Sequence, residues 1–290
     1  MDLYFRELDY DDIPQILEIT KDIWEGEDYI PNIIEPWLKD TNCMNYGGFK
    51  DKAKTQLIGF GRVKIFPSRM AWLQGGRVKV DLQKKGVGKA LMKYAIDYAK
   101  KVGAKVAQYD TSSENVASLA LAKYFGFKEK KSMEILESKS ENLIIYEREI
   151  KGVNEFSLNK AKEIYKRLNI GPGNEICIGW SFVPLDYLRE ENSNWFVKDD
   201  AILQKIKLKQ PSTQEGPISK ELWMITYGNE LNVKELIEFT LLNEVKAKEN
   251  EIFVIFCKPE IVEFVKKLGF SYPHWENKPL RVKLFEKILN

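Results

Sequence analysis

Two glycines and three lysines stand close together in the stretch Gln83-Lys-Lys-Gly-Val-Gly-Lys-Ala90. Glycines let the main chain turn tightly and bring N–H groups close to an anion, and the start of a helix adds the positive end of its dipole. Lys84, Lys85 and Lys89 add formal positive charge at the same place. This composition predicts a phosphate-binding loop, and a solvated turn is the alternative.

Two familiar phosphate-binding motifs do not fit this stretch. A nucleoside-triphosphate P-loop would have glycine at position 83 and serine or threonine at position 90, where this chain has Gln83 and Ala90. A dinucleotide-binding fingerprint would have its third glycine where this chain has Leu91. The sequence therefore disfavours both kinds of nucleotide site.

The glycine loop is preceded by a predicted strand, Met70 to Leu82, and followed by a predicted helix. Apolar residues of that helix lie on one stripe opposite a row of lysines, and Gly103 is placed to end it. We expect the residues of this stripe to pack in the core: Val87, Leu91, Tyr94, Ala95 and Tyr98.

The pattern Gln-x-x-Gly-x-Gly resembles the pyrophosphate loop of the GCN5-related N-acetyltransferase (GNAT) family. Val78 to Ala90 are similar to strand four, the loop and helix three of that family, and Ala104 to Asp110 to strand five. Asn115 to Phe127 is similar to the helix-four motif, which ends in Gly-Phe. Two motifs in the right order are more specific than one, and they imply an α/β fold around a mixed sheet.

The resemblance also implies an acetyl-CoA site. In the family, strand four parts from strand five, and its unpaired main-chain groups receive the pantetheine arm like an added strand. Here those groups would belong to Val78, Lys79 and Val80, and Asn115 would bond the arm near the thioester. The pyrophosphate would bind the N–H groups of Gln83, Lys84, Lys85, Gly86, Val87, Gly88 and Lys89.

Acyl transfer to an amine needs a neutral nitrogen, a donor for the developing oxyanion and a proton for the departing thiolate. In many family members a tyrosine supplies that proton, but its position holds Ala122 here. Tyr124 lies about 200° further around the helix, so we expect it in the core, with the acid role as the alternative. Ser118, which shares a face with Asn115 and Ala122, or solvent could donate instead.

Several carboxylates are candidates for the general base, directly or through water. They are Glu27, Asp28 and Asp110, and for each one a solvated loop carboxylate is the alternative.

The predicted acceptor site lies in the loop between the first two helices, which commonly covers the acceptor in the family. Its residues Trp24, Glu27, Asp28 and Tyr29 combine carboxylates with aromatic rings, which suits a cationic amine. The stretch also resembles part of the histidine N-acetyltransferases, which suggests a free amino acid or small amine as acceptor. The alternative is that these aromatic residues only pack the two helices together.

Residues 1–150 are predicted to form one catalytic domain with the order βααβββαβαββ. Its first helix would run from Asp11 to about Trp24 and its second from Pro31 to Leu38. Strands would cover Asn45 to Phe49 and Leu57 to Ile65, ahead of the strand that leads to the glycine loop.

Residues 152–290 are predicted to form a second, α+β domain that is GNAT-like but not catalytic. A strand from Ile252 to Cys257, a helix from Ile261 to Lys267 and the ending Leu-Gly-Phe270 resemble strand five and helix four. The stretch before the preceding helix, Tyr227 to Asn232, lacks a glycine pair and a lysine. We expect this domain to pack on the first and shape the acceptor pocket, and an unrelated α+β domain is the alternative.

The second domain has further predicted elements. They are a helix from Leu158 to Leu168, strands at Glu175 to Phe182, Ala201 to Leu208 and Glu221 to Tyr227, and a helix from Val233 to about Lys246.

Composition limits the functional classes. The 290 residues are 44% hydrophobic, and 45 basic and 43 acidic side chains give a net charge of +2, which indicates neither nucleic acid nor a membrane surface as partner. Without a membrane span or signal-peptide core, a cytoplasmic location is expected. Three scattered cysteines, Cys43, Cys177 and Cys257, and one histidine, His274, predict no metal site. We expect the thiols to be buried and the chain to be a monomer.

The sequence predicts an acetyl-CoA-dependent N-acetyltransferase that acts on a small amine or amino acid. Two alternatives stay open: a non-catalytic, regulatory protein that binds acyl-CoA, and an acetyltransferase that modifies a protein N-terminus or a lysine.

Overall fold

The computed structural model describes residues 3–26, 28–168, 174–190, 193–210, 219–248, 250–273 and 278–290. The described residues form two compact units that do not follow the chain as two continuous halves. The first unit contains those within Met1–Asp110, Val116–Glu129 and Phe285–Asn290. The second contains those within Thr111–Asn115 and Lys130–Leu284. The predicted domain boundaries at residues 150 and 152 remain a prediction.

The elements of the first unit follow the order predicted from the sequence up to the fourth helix. They are β1 (Tyr4–Glu7), α1 (Ile13–Thr20), α2 (Ile30–Lys39), β2 (Cys43–Phe49), β3 (Leu57–Phe66), β4 (Met70–Val78), α3 (Val87–Lys101), β5 (Val106–Ser112) and α4 (Val116–Phe125). Short 3₁₀ turns cover Tyr10–Asp12, Ile23–Gly26 and Val80–Leu82.

The sheet of the first unit is mixed. Strands β1 to β4 pair antiparallel with their neighbours along the chain, whereas β5 pairs parallel with β4. On one face, α3 and α4 cover a core that includes Val87, Leu91 and Ala107. On the other face, α1 and α2 cover Phe49 and Phe60. Helices on both faces of a mixed sheet confirm the predicted fold class.

Two predicted boundaries in the first half are wrong. Helix α1 ends at Thr20, because the chain then turns through left-handed backbone at Trp24 (φ 50°) and Glu25 (φ 59°). Strand β4 ends at Val78 rather than Leu82, because residues Val80–Leu82 form a 3₁₀ turn.

The second of the two strands expected to end the first half is absent, since strand β6 (Lys128–Lys139) is followed by a 3₁₀ turn and by residues without regular structure up to 150. Beside β5, the first unit instead holds the last residues of the chain. Leu289 N–H donates to Lys105 O at 2.8 Å, and Gln108 Nε2 donates to Glu286 at 2.6 Å.

The second unit repeats much of this chain order. Its elements are β6, β7 (Asn154–Phe156), α5 (Leu158–Arg167), β8 (Glu175–Cys177), β9 (Phe182–Pro184), β10 (Ser193–Lys198), β11 (Ala201–Gln210), β12 (Ser219–Gly228), α6 (Glu230–Ala247), β13 (Ile252–Cys257) and α7 (Val262–Lys267). The last strand, β14 (Leu280–Ile288), begins in the second unit and ends in the first.

The sheet of the second unit has the same connections as the first. Strands β7, β10, β11 and β12 pair antiparallel in that order, and β13 pairs parallel with β12. On the far side of β13 lies β6, antiparallel. The corresponding order in the first unit is β1, β2, β3, β4 and β5, so the two halves share a topology.

The sequence prediction for the second half was partly wrong. It placed one strand over Glu175 to Phe182, where the structure has the hairpin β8–β9, and it missed β7, β10 and β14. Short strands such as β7 carry little periodic signal. Gly171 and His274 lie outside the described residues.

All three cysteines are buried and free, as expected from the sequence. No helix in the described part of the chain is long and apolar enough to cross a membrane.

Strand β4 contains a bulge at Gly75 and Gly76, and its packing gives the first prediction. Gly75 has φ +66°, and a Cβ there would lie 2.5 Å from Cζ3 of Trp37, whereas a Cβ on Gly76 would meet nothing within 4 Å. We expect Gly75→Ala to lower the free energy of unfolding by about 1–3 kcal/mol, because the new methyl group displaces the indole. Gly76→Ala is the matched control and should cost far less. Urea unfolding measures both, and equal losses would contradict this packing.

Candidate active site

Strands β4 and β5 part soon after they meet. They pair only at Met70 with Val106, Ala71 with Ala107 and Trp72 with Gln108. Strand β4 then continues to Val78, paired with β3 alone. Its main-chain groups on the β5 side between Leu73 and Val78 are therefore not paired with β5. An extended ligand could hydrogen-bond to them as an additional strand would.

The bulge of β4 lies on this open edge. Phe60 pairs with Arg77 and Arg62 with Gln74, so two residues of β4, Gly75 and Gly76, stand opposite one residue of β3. A bulge leaves one residue out of the ladder and re-aims the backbone around it. The bulge therefore interrupts the regular β3–β4 hydrogen bonding close to the point where β4 and β5 separate. An N–H group that is left out of the ladder there is placed as an oxyanion donor would need to be.

The glycine loop continues from this edge into α3. Gly86 is the N-cap residue of α3, its φ of 89° is left-handed, and no side chain caps the helix. The first N–H groups of a helix have no partner within the helix and carry the positive end of its dipole. A Cβ on Gly86 would meet nothing within 4 Å, so the approach to these N–H groups is open. The predicted anion site has the geometry such a site needs.

Two of the predicted pantetheine contacts are not strand residues. Val80 lies in the 3₁₀ turn, and the N–H of Lys79 donates to the carbonyl of Ile58 at 3.0 Å. The open edge of β4 therefore consists of residues 73–78 rather than residues 78–80. Val78 is the one predicted residue that lies on it.

Helix α4 runs close to the start of α3. A Cβ on Gly88 would lie 3.8 Å from Cδ1 of Leu121 and 3.9 Å from Cγ2 of Val78, an ordinary van der Waals contact. Ser118, one turn before Leu121, accepts a hydrogen bond on its carbonyl from the Tyr109 hydroxyl at 3.0 Å. Burial raises the pKa of Tyr109 to about 12. Tyr109 is thus a neutral donor that ties α4 to β5.

The missing family tyrosine has no replacement at its own position. Ala122 is buried in the core between α3 and α4. Tyr124 was expected in the core, and that prediction is wrong: the side chain is 63% exposed. The two residues lie about 200° apart around the helix, so a core position at 122 turns position 124 outward.

Tyr124 instead lines a surface pocket of about 450 Å³ next to the first turn of α3. The Lys89 ammonium lies 4.0 Å from the centre of its ring. The other lining residues are Ala90, Lys93, Ile96, Asp97, Phe125 and Lys287. Three lysines and an exposed aromatic ring give this pocket a positive charge and a stacking surface.

Asn115 lies directly before α4 and is half-buried. Its main-chain N–H donates to Ser112 O at 3.1 Å, and the neighbouring Ser113 N–H donates to Arg281 O at 2.8 Å. Its predicted contact with the pantetheine arm stays a prediction.

The predicted acceptor residues gather around an arginine that the sequence analysis did not single out. Nε and Nη2 of Arg77 donate to the two carboxylate oxygens of Asp28 at 2.6 and 2.9 Å. The guanidinium carbon lies 4.5 Å from the ring centre of Trp24 and 5.2 Å from that of Tyr29. The negative charge of Asp28 is therefore paired with Arg77, so this carboxylate is not a free anion that could bind a cationic amine. Glu27 lies outside the described residues.

Tyr29 and Asp110 are close enough to influence each other. Desolvation raises the pKa of the Tyr29 hydroxyl, the Arg77 guanidinium opposes that shift, and the carboxylates of Asp28 and Asp110 add to it. Asp110 follows the last buried residue of β5, where β5 has already parted from β4. A carboxylate and a phenol therefore flank the open edge on the α2 side.

The role of Arg77 had only a weak signal in the sequence. Arg77 stands near the end of a strand, where a charged side chain is usually expected to be exposed to solvent. In the structure it is only 8% exposed. Burial alone would lower its pKa, but the hydrogen bond to Asp28 and the neighbouring groups raise it overall. A buried, fully charged arginine requires a carboxylate partner, and the partner is 49 residues away in sequence.

The described residues of the second unit form no comparable anion site. Its corresponding helix, α6, is capped by the side chain of Asn229, which accepts the Leu231 N–H at 2.9 Å, and Glu230 lies in its first turn. Strands β12 and β13 pair over five positions, from Glu221 to Ile225, and so stay closed where β4 and β5 part. A filled cap and a negative charge both disfavour phosphate.

The described residues include no group of three or more histidine, cysteine, aspartate or glutamate side chains placed to hold a metal ion.

Comparison with known proteins identifies the first unit. Residues 10–127 match the sequence model of the acetyltransferase (GNAT) family, so this part of the chain is a GNAT acetyltransferase domain. No curated protein sequence matches the chain closely enough to count as a relative.

Solved structures share the fold over nearly the whole chain. A GCN5-related N-acetyltransferase from Sphaerobacter thermophilus has a TM-score of 0.62 and 12% identity over 99% of this chain and 96% of its own. The one from Kribbella flavida has a TM-score of 0.55 and 13% identity over 99% and 71%. A fungal multi-domain GH3 β-N-acetylglucosaminidase, described as containing a GCN5-related glucosamine N-acetyltransferase region, has a TM-score of 0.67 and 12% identity over 99% and 38%. These identities establish the shared fold alone.

The glycine loop gives the second prediction. Gly86→Glu should abolish acetyl-CoA binding, because the carboxylate would add negative charge at the predicted anion site and the residue would keep a strained left-handed backbone. Gly103→Glu is the matched control, since Gly103 has φ +81° and open surroundings at the other end of α3. Calorimetric titration should find binding in the control only. An unchanged dissociation constant for Gly86→Glu would refute the loop assignment.

Proposed function

We propose that this protein transfers the acetyl group of acetyl-CoA directly to the nitrogen of a small amine or amino acid. The observation that supports this most is the junction of the open edge of β4 with the uncapped N-terminus of α3. The first suits an extended amide-containing arm, and the second suits a diphosphate. Acetyl-CoA carries both groups in that order.

The reaction needs no covalent intermediate on the protein. The neutral amine attacks the thioester carbonyl carbon, the C–S bond breaks, the nitrogen loses a proton and the thiolate gains one. We assign the proton acceptor to Asp110, directly or through water, because it lies near Tyr29 and follows the point where β5 parts from β4. Ser118 or solvent supplies the thiolate proton, and the Gly75–Gly76 bulge supplies donors for the oxyanion. Tyr124 has no part in this assignment, since it lies on the outer pocket.

The pocket lined by Tyr124 extends the same proposal. Its cations lie next to the N-terminus of α3, where the diphosphate would bind, and CoA continues beyond its diphosphate into an adenosine with a 3′-phosphate. The ring of Tyr124 is available to stack on a base, and Lys89 and Lys287 to pair with a phosphate.

A second candidate function is a non-catalytic acyl-CoA sensor. The buried Ala122 favours it, because the position that carries the acid in many family members has no hydroxyl. A sensor would bind acetyl-CoA without turnover.

A panel of acceptors separates these functions. Purified protein is incubated with acetyl-CoA and, in turn, free amino acids, polyamines and short peptides with free N-termini, and thiol release is followed with a chromogenic disulfide. Steady thiol release with an amino acid or small amine, together with the acetylated product by mass spectrometry, supports the proposal. Binding without thiol release would indicate the sensor, and release with peptides alone would contradict the small acceptor.

The 3′-phosphate assignment gives the third prediction. The wild-type protein should bind CoA about tenfold more tightly than 3′-dephospho-CoA, because one charge-assisted interaction is worth about 1.5–3 kcal/mol. Replacing Lys89 and Lys287 by Met should remove that preference, because the cations near the proposed phosphate are lost. Lys100→Met, at the other end of α3, is the control. A preference that survives the double substitution would rule out this pocket.

The base assignment gives the fourth prediction. Asp110→Asn should lower kcat about 10²–10³-fold with the best acceptor of the panel, because the amide cannot accept a proton from the amine. Asp11→Asn, on the exposed 3₁₀ turn Tyr10–Asp12, should leave kcat unchanged. Steady-state kinetics with matched thermal unfolding of both variants makes the test. A kcat within about twofold of wild type would remove Asp110 from the mechanism.

A further inference from the structure

Helix α2 is fixed at both ends by an arginine from the sheet. Arg77 of β4 holds Asp28, which comes two residues before α2 begins, and Arg62 of β3 holds Asp40, the C-cap residue of α2. Each guanidinium also lies against an aromatic ring from this region, Arg62 at 4.7 Å from the ring centre of Trp37. Two separate sets of arginine, carboxylate and indole thus fix one helix.

The set at the start of α2 is the tighter of the two. Arg77 makes two hydrogen bonds to Asp28 and a third from Nη1 to Gly76 O at 3.1 Å. Asp28 in turn accepts the main-chain N–H of Ile30 at 3.1 Å, the first residue of α2. The side chains of Arg77 and Asp28 are 9% and 1% exposed. One carboxylate therefore joins the bulge of β4 to the start of α2.

The same guanidinium supports a strained turn. Trp24 and Glu25 both have left-handed φ values, 50° and 59°, which side chains other than glycine adopt only when the surrounding structure compensates for the strain. The Trp24 ring is 53% exposed, so it has no apolar core to hold it. Its ring lies against the Arg77 guanidinium and stacks on Tyr29, with 6.3 Å between the two ring centres, and Arg77 contacts both rings.

From these contacts we propose that Arg77 is a positioning residue for the acceptor: it holds Trp24, Asp28 and Tyr29 against the bulge of β4 so that they form one wall of the acceptor site. The proposal rests on the proposed function. It gives Asp28 and Arg77 a joint structural task, and leaves recognition of the acceptor to the exposed rings of Trp24 and Tyr29 and to Asp110.

The charges of Arg77 and Asp28 determine what a substitution of either residue would do. The ion pair is neutral as a whole, so loss of Arg77 would leave Asp28 buried and unpaired, and loss of Asp28 would leave a buried cation. Lysine at position 77 keeps the charge but cannot form the two parallel hydrogen bonds or stack in the same way. Arg77→Lys therefore loosens the wall without adding a charge.

The test compares Arg77→Lys with Arg62→Lys in the full-length protein. Both positions are buried arginines that pair with a carboxylate and stack on a tryptophan, so the second variant controls for general destabilisation of α2. Hydrogen exchange by mass spectrometry reads the segments 20–26 and 28–30, and calorimetry gives the dissociation constant of acetyl-CoA. Kinetics with the best acceptor of the panel separates KM from kcat.

Arg77→Lys should speed exchange in those segments and raise the acceptor KM about tenfold or more, with kcat within about threefold and acetyl-CoA affinity unchanged. Arg62→Lys should leave the acceptor KM near wild type. Unchanged exchange in Arg77→Lys, or an equal rise in acceptor KM in both variants, would overturn the proposal. If no acceptor is found, the proposed function fails separately, while the exchange experiment still decides whether Arg77 holds the wall.

Discussion

The separation of two parallel strands is the constraint on which the rest of this structure depends. Strands β4 and β5 share only three paired positions, from Met70 to Trp72, and β4 then continues without β5. An unpaired strand edge normally attracts another strand or is covered. Here it leads directly into a helix whose N-terminus has a glycine cap and no side-chain partner. In the proposed function, main-chain groups, which any sequence supplies, become a ligand site through topology and two or three glycines.

The second unit shows how few residues separate an open site from a closed one. Its strands and helices follow the same order, yet β12 and β13 stay paired for five positions, and Thr226 Oγ1 reaches Phe256 O at 3.4 Å across them. Where the first unit has Gly86, the second has Asn229, whose side chain satisfies the helix itself. These differences are consistent with a binding half and a supporting half, a division that remains a prediction.

Local signals predicted much of this fold. The glycine loop, the amphipathic helix α3 and the apolar strand β13 each depend on neighbours in sequence, and the strand from Ile252 to Cys257 agrees to the residue. The second of the two strands expected to end the first half is absent for the opposite reason. Residues from the end of the chain, near 286, lie beside β5 instead, and no local pattern reports a contact across that distance.

The predictions for the candidate site likewise succeeded where the signal is local and failed where it depends on residues distant in sequence. The place of Gly86 at the start of α3 was predicted because turn chemistry is local, whereas Tyr124 was misplaced because the core stripe of α4 passes through Ala122. Arg77 was missed because a strand arginine looks like any solvent-facing residue until its partner is known. Asp28 lies beside the aromatic residues, as the sequence predicted. It was expected to be a free anion, however, and the structure shows it in an ion pair with Arg77.

Glycine amide signals report most directly on whether this open edge and helix start bind acetyl-CoA. The chain has 18 glycines, and ¹⁵N-glycine labelling with single substitutions for assignment would resolve them by NMR. On titration with acetyl-CoA, the account predicts shifts at Gly75, Gly76, Gly86 and Gly88, with Gly228 and Gly269 of the second unit unmoved. Shifts confined to the second unit, or none at Gly86 and Gly88 at saturating ligand, would contradict it.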